Sequence, residues 1–114
     1  MPNQAAQLDT VFRALSNPTR RAVLARLSSG PAAVGELARP FDMALPSFTQ
    51  HLKVLEESGL VRSRKEGRVR TYRIAPQPLK LAEHWMVEQR SHWDRRLDQL
   101  DDYLEELNRK EQLS

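Results

Sequence analysis

The stretch from Leu79 to about Asn108 constrains the fold most, because it has no glycine or proline and is rich in helix-forming residues. It predicts one helix of about 30 residues, which would span about 45 Å. Apolar residues recur along it at heptad-like spacing, and we call them the heptad seam: Met86, Trp93, Leu97, Leu100, Leu104 and Leu107. The roughly 75 residues before this helix cannot cover a surface of that length. The seam therefore predicts an interface with a second chain.

Four short helices are predicted before the long one. The first carries an apolar face that we expect to join the same interface, formed by Leu8, Val11, Phe12 and Leu15. Proline and glycine bound the next three helices, because Pro18 and Pro46 suit a first helical turn and Gly59 suits a helix end. These three are expected at about 18–28, 34–39 and 46–58, with inward residues Ala22, Val23, Leu27, Leu37, Phe48, Leu52 and Leu55.

The pattern changes at 61–74, where β-branched and aromatic residues alternate with basic ones. This alternation predicts a two-stranded hairpin with its turn at Glu66-Gly67. We expect Arg62, Arg64, Arg68 and Arg70 to point away from the face that carries Val61, Val69 and Thr71. Residues 61–73 hold six basic side chains and one acidic side chain, which is typical of a surface that contacts a polyanion.

Two short helices joined by a connector, at 34–39 and 46–58, are followed at once by the basic hairpin. This is the order of a winged helix-turn-helix, a mainly α fold with a small β-hairpin. If the 46–58 helix buries its apolar face, its opposite face presents Ser47, Thr49 and Gln50, whose side chains suit base edges in a major groove. Contacts to phosphate or the minor groove are predicted for Lys53, Arg62, Arg64, Lys65, Arg68 and Arg70. The alternative is that the polar residues near the helix start only cap the helix and face solvent.

Three segments resemble the ArsR family of winged-helix regulators. Leu45–Val61 resembles the family's recognition helix, Ala14–Leu24 the start of its second helix, and Gly67–Ile74 its second wing strand. Pro40–Met43 resembles a subgroup without metal ligands. The resemblance covers 8–75 densely and implies a bacterial repressor that dimerises through its first and last helices and binds an inverted repeat in double-stranded DNA. Many members of the family are released from DNA by metal ions.

The metal-binding patterns of that family are not matched here. The chain has no cysteine, so Glu36-Leu37 is not followed by a Cys-x-Cys pair. His84, Glu88 and His92 lie on one stripe of the long helix, but their spacing differs from the family's second site. We expect no metal and no cofactor. A metal-responsive repressor with a non-standard His/Glu site stays an alternative.

An enzyme is not expected, because we find no catalytic triad, no glycine-rich phosphate loop and no paired carboxylates at catalytic spacing. A protein-interaction module that uses the heptad seam is the remaining alternative. Neither a signal peptide nor an apolar run of 18 residues is present, so a cytoplasmic protein without membrane contact is expected. The identity of any inducer cannot be predicted.

The expected organisation has four parts, and the balance of charge differs between residues 1–75 and residues 76–114. An N-terminal tail (1–7) precedes the DNA-binding region (8–75), and a dimerisation helix (76–108) precedes a C-terminal tail (109–114). Residues 1–75 hold 12 Lys/Arg against 6 Asp/Glu, whereas residues 76–114 hold 6 against 9. Because only residues 1–75 carry excess positive charge, the polyanion contact is predicted in that part of the chain.

Overall fold

The computed structural model describes residues 4–113. In chain order its elements are α1 (Gln4–Leu15), α2 (Pro18–Leu27), β1 (Ala32–Ala33), α3 (Val34–Ala38), α4 (Leu45–Glu57), β2 (Val61–Glu66), β3 (Val69–Ile74) and α5 (Pro76–Leu113). The strands form one antiparallel sheet in the order β1-β3-β2. This architecture confirms the predicted mainly helical fold with a small β-hairpin.

Two helices are longer than predicted. Helix α1 begins at Gln4 instead of Leu8, because the glutamine and alanine residues before Leu8 contain no helix breaker. Helix α5 begins at Pro76, since proline is tolerated in a first turn, and continues to Leu113. The predicted tails are therefore helical where they are described, and residues 1–3 and 114 lie outside the described residues.

The chain divides into two compact units, and the first extends to Ala82. Its core is centred on Phe48, Leu52 and Leu55 of α4, which are 0% exposed and confirm the predicted inward face of that helix. Other buried members of this core are Val11, Ala14, Val23, Leu24, Leu27, Ala32, Leu37, Leu60, Val61, Tyr72 and Ala82. Every helix and strand of the first unit thus contributes to the core, and the apolar face of α4 packs against it.

Two apolar positions in α1 and α2 were predicted wrongly. Val11 is 0% exposed within the single chain, so it is unavailable to a second chain and does not belong to the predicted interface. Leu8, Phe12 and Leu15 pack against the core and are only partly buried. In α2, Ala22 is exposed, and Leu24 is buried in its place together with Val23 and Leu27.

The hairpin differs from its prediction at the turn. The two turn residues are Gly67 and Arg68, not Glu66 and Gly67. Gly67 has a φ of 63°, while Arg68 has a negative φ, and this combination is typical of a type II′ turn with glycine at its first position. Strand β1 was not predicted at all, because two alanines between a proline and a helix carry no alternating pattern.

The second unit begins at Glu83 and continues the helix to Leu113. The residues of the heptad seam are 41–64% exposed in the single chain. The seam is therefore an apolar surface without a cover in this chain. None of the helices among residues 4–113 combines the length and apolarity that a membrane crossing requires.

Candidate nucleic-acid interface

The exposed face of α4 presents the three predicted base-reading residues. Ser47, Thr49 and Gln50 are all exposed, on the side opposite the buried apolar residues. The Thr49 hydroxyl donates a hydrogen bond to the backbone carbonyl of Pro46 (3.0 Å). That bond uses the hydroxyl proton and leaves the oxygen lone pairs and the methyl group available. The geometry provides a polar helix face with short side chains, as close approach to base edges requires.

Lys53 lies one turn beyond the base-reading residues on the same helix. Its Nζ is 4.0 Å from Oε1 of Glu57, and both side chains are largely exposed. An exposed pair of this kind contributes little to stability. Lys53 can therefore exchange Glu57 for a phosphate at little cost.

Arg20 anchors α4 to the preceding helices, and the sequence analysis missed this role. Its Nε donates to the backbone carbonyl of Ala14 (2.7 Å) and its Nη2 to that of Arg13 (2.9 Å). Its Nη1 lies 3.1 Å from Nδ1 of His51 in α4. Because a guanidinium has no acceptor, Nδ1 of His51 accepts this bond and any proton of the neutral ring is on Nε2. The contact joins residues 31 positions apart, which no local pattern can predict.

The register of β2 and β3 contradicts the predicted distribution of basic residues over the hairpin. Arg62 pairs with Arg73 and Arg64 with Thr71, whereas Lys65 pairs with Arg70. Cross-strand partners share a face of the sheet, so Arg70 lies on the opposite face from Arg62 and Arg64. Val69 is 51% exposed instead of packing with Val61. The prediction was wrong because a two-residue turn pairs even-numbered residues of β2 with odd-numbered residues of β3, so Arg70 cannot share a face with Arg62 and Arg64.

The tip of the hairpin carries exposed positive charge. Lys65 and Arg68 are exposed, and neither side chain makes an ion pair or hydrogen bond to another residue among 4–113. Arg64 is paired weakly, with its Nε 3.7 Å from Oε1 of Glu66 in an exposed position. A positive hairpin tip is a suitable surface for a nucleic-acid backbone.

A hydrogen-bonded bridge connects the end of α4 to the hairpin. The Ser63 hydroxyl donates to Oε1 of Glu56 (2.6 Å) and accepts from Nη1 of Arg70 (2.8 Å). Burial raises the pKa of Tyr72 nearby, Glu56 raises it further, and Arg70 opposes both effects. Arg70 was predicted to contact phosphate, but in the structure its guanidinium holds this bridge.

On the long helix, His84 forms a pair with Glu88. Nε2 of His84 lies 3.0 Å from Oε1 of Glu88. Among residues 4–113 no three His, Cys, Asp or Glu side chains are grouped so that they could hold a metal ion.

Comparison with known proteins identifies relatives of this chain. Residues 15–64 match the model of a helix-turn-helix domain family. The chain is 47% identical over 68 residues to the HTH-type transcriptional regulator Rv2034 of Mycobacterium tuberculosis, a match that covers 60% of this chain and 64% of that protein. It is 30% identical over 80 residues to the transcriptional repressor SdpR of Bacillus subtilis, covering 70% of this chain and 89% of that protein.

Two solved structures resemble the fold closely. One is the ArsR family transcriptional regulator RHA00566, with a TM-score of 0.77 and 54% identity over 82% of this chain and 97% of that chain. The other is the homodimeric winged helix-turn-helix DNA-binding domain Mb0332 from Mycobacterium bovis, with a TM-score of 0.61 and 29% identity. That likeness covers 83% of this chain and 93% of that chain.

Proposed function

The chain belongs to the ArsR family of transcriptional regulators, and from this premise we propose that it binds double-stranded DNA and represses transcription in the cytoplasm. The observation that carries the proposal is the pairing of two surfaces on the first unit. A polar face of α4 is backed by a fully buried apolar face, and a basic hairpin tip follows in the same unit.

Helix α4 is the proposed reader of sequence. A major groove accepts one helix, and the residues near its N-terminal end meet the base edges. Gln50 can bond an adenine through two hydrogen bonds, and Ser47 and Thr49 can contact several base types. Arg20 supports this function by holding α4 through His51, which makes Arg20 a positioning residue.

Lys53 and the hairpin tip are the proposed phosphate contacts. Lys65 and Arg68 have no competing partner among the described residues, and Arg64 and Lys53 have only exposed ones. Contacts of this kind carry affinity and make it dependent on salt, but they do not distinguish sequences.

A homodimer is proposed as the binding species. The heptad seam supplies an exposed apolar surface of the kind that marks an interface, and Leu8, Phe12 and Leu15 of α1 are proposed to contribute to it. A two-fold dimer would place two α4 helices about 34 Å apart, on successive major-groove faces of an inverted repeat. The homodimeric state of the Mycobacterium bovis domain supports this proposal.

The test is the salt dependence of binding to duplexes recovered by genomic footprinting, measured by fluorescence anisotropy. We expect Arg68→Ala to weaken binding to all duplexes similarly and to lower the slope of log K against log salt by about one. Arg109→Ala, which removes the same charge from the second unit, should leave the slope unchanged. An Arg68→Ala protein with wild-type affinity and slope would show that the hairpin does not contact DNA. A protein that binds no duplex at any salt concentration would reject the function altogether.

A further inference from the structure

A cleft at the base of the hairpin lies apart from the surface proposed to contact DNA. It is open to solvent, has a volume of about 530 Å³ and is lined by Arg62, Arg73, Ile74, Pro76, Pro78 and Gln7, among others. A volume of this size is typical of sites for small organic molecules. All lining residues belong to the first unit.

The two arginines of the cleft lie next to each other on the same face of the sheet, and neither is paired with an acidic side chain among the described residues. Arg62 and Arg73 are direct cross-strand partners, and like charges at such positions destabilise a sheet. Neither side chain makes an ion pair or hydrogen bond to another residue in the described part of the chain. The other arginines within the two strands differ, since Arg64 approaches Glu66 and Arg70 bonds Ser63. The Arg62–Arg73 pair is therefore an uncompensated positive site.

The position of the cleft argues against a phosphate of the same DNA as its occupant. Helix α4 ends at Glu57, about 10 Å beyond Gln50 at the helical rise of 1.5 Å per residue, and Gly59, which lines the cleft, follows that end. Arg62 lies about 16 Å along its strand from Gly67 at the hairpin tip. Arg62 was predicted to contact phosphate, and its place in the cleft favours a different ligand.

The lining defines the chemistry of an occupant. Guanidinium groups bind carboxylates through paired, charge-assisted hydrogen bonds. Beside them, Ile74, Pro76 and Pro78 offer an apolar wall, and Gln7 adds an amide. We propose that this cleft binds a small organic anion with an apolar body, of the monocarboxylate class.

The experiment titrates the full-length protein, without DNA, with octanoate as the probe and follows backbone amide signals by NMR. Octanoate is expected to shift the signals of Arg62, Arg73 and Gln77 with a Kd below about 1 mM. Acetate tests the anion alone, and octanol tests the apolar chain alone. Both should bind about tenfold more weakly than octanoate, because each lacks one half of the interaction.

Variants assign the binding to the arginine pair. Arg62→Gln combined with Arg73→Gln should weaken octanoate binding about tenfold or more. The matched control, Arg39→Gln with Lys80→Gln, removes the same charge from exposed positions of the first unit and should bind octanoate like the wild type. Amide spectra of both variants establish that they are folded, so a lost signal cannot be attributed to unfolding.

Several results would overturn the proposal. Acetate binding as tightly as octanoate would reject an amphipathic ligand, and octanoate shifts confined to the heptad seam would reject the cleft. Absence of octanoate binding, together with a salt slope for DNA lowered by about two in the arginine double variant, would make the pair a DNA contact instead. Because the octanoate titration contains no DNA, its outcome is independent of whether the protein binds DNA.

Discussion

Helix α4 and the second unit's helix carry apolar residues at similar spacing, yet only α4 buries them within one chain. Leu52 and Leu55 are 0% exposed, whereas Leu97 and Leu100 are 54% and 50% exposed. Full burial of a leucine side chain contributes about 1.5–3 kcal/mol relative to exposure. Burial of the apolar face of α4 therefore stabilises the first unit. Burial of the seam would instead stabilise the association of two chains. Periodicity identifies an apolar face but not what covers it.

The largest expected effect comes from charging the seam. Leu100→Glu combined with Leu104→Glu should abolish the dimer and lower operator affinity by about 100-fold or more, because a single subunit contacts half a site. Analytical ultracentrifugation and fluorescence anisotropy measure the two quantities.

A matched control for the seam variant is Arg95→Gln with Gln99→Glu, which changes net charge equally at exposed positions outside the seam. It should remain dimeric and bind the operator. If the Leu100→Glu/Leu104→Glu protein were folded and monomeric but bound the operator with undiminished affinity, the proposal that the dimer is the DNA-binding species would be wrong.

The second-largest effect is on the free energy of unfolding, which should respond to truncation of a leucine in α4 but not in the seam. Leu52→Ala should lower the free energy of unfolding by about 2–5 kcal/mol, because it leaves a cavity in a packed core. Leu97→Ala should change it by less than about 0.5 kcal/mol at protein concentrations where the dimer is dissociated. Urea denaturation followed by circular dichroism gives both values. Equal losses in the two variants would mean that the seam is covered within one chain.

A smaller effect concerns the exposed face of α4. Gln50→Ala should reduce discrimination at one base pair by about 1–3 kcal/mol while leaving the salt slope unchanged. Anisotropy competition with duplexes that differ at single positions measures this change. If all duplexes weakened equally, Gln50 would be a backbone contact and not a reader of sequence.

The smallest effect concerns the bridge between α4 and the hairpin. Glu56→Gln should lower the pKa of Tyr72, although burial, the larger cause, would still hold it above the usual value. Because the folded-state pKa is raised, this group's contribution to stability is present below the unfolded pKa and is lost as pH rises through the folded value. Ultraviolet titration of a Tyr103→Phe background isolates the phenol of Tyr72. If the pKa of Tyr72 were unchanged in Glu56→Gln, the Glu56 carboxylate would not be a cause of the raised pKa.

Local patterns in the sequence were sufficient for the helices, the inward face of α4 and the exposure of Ser47, Thr49 and Gln50. These features depend on spacing of 3.6 residues and on proline and glycine at helix ends, which neighbouring residues alone specify. The same reasoning placed the heptad seam on one face of the last helix. The residues proposed to contact DNA remain a prediction that the experiments above address.

Only the tertiary structure decided which contacts the remaining residues make. Alternation within each strand could not reveal that Arg62 pairs with Arg73 while Arg70 bonds Ser63, because the facing of β3 relative to β2 depends on how many residues the turn contains, here Gly67 and Arg68. Nor could it show that Val11 is buried in the chain's own core. Packing and strand register join residues distant in sequence, and one residue more or fewer in a turn exchanges the two faces of a strand.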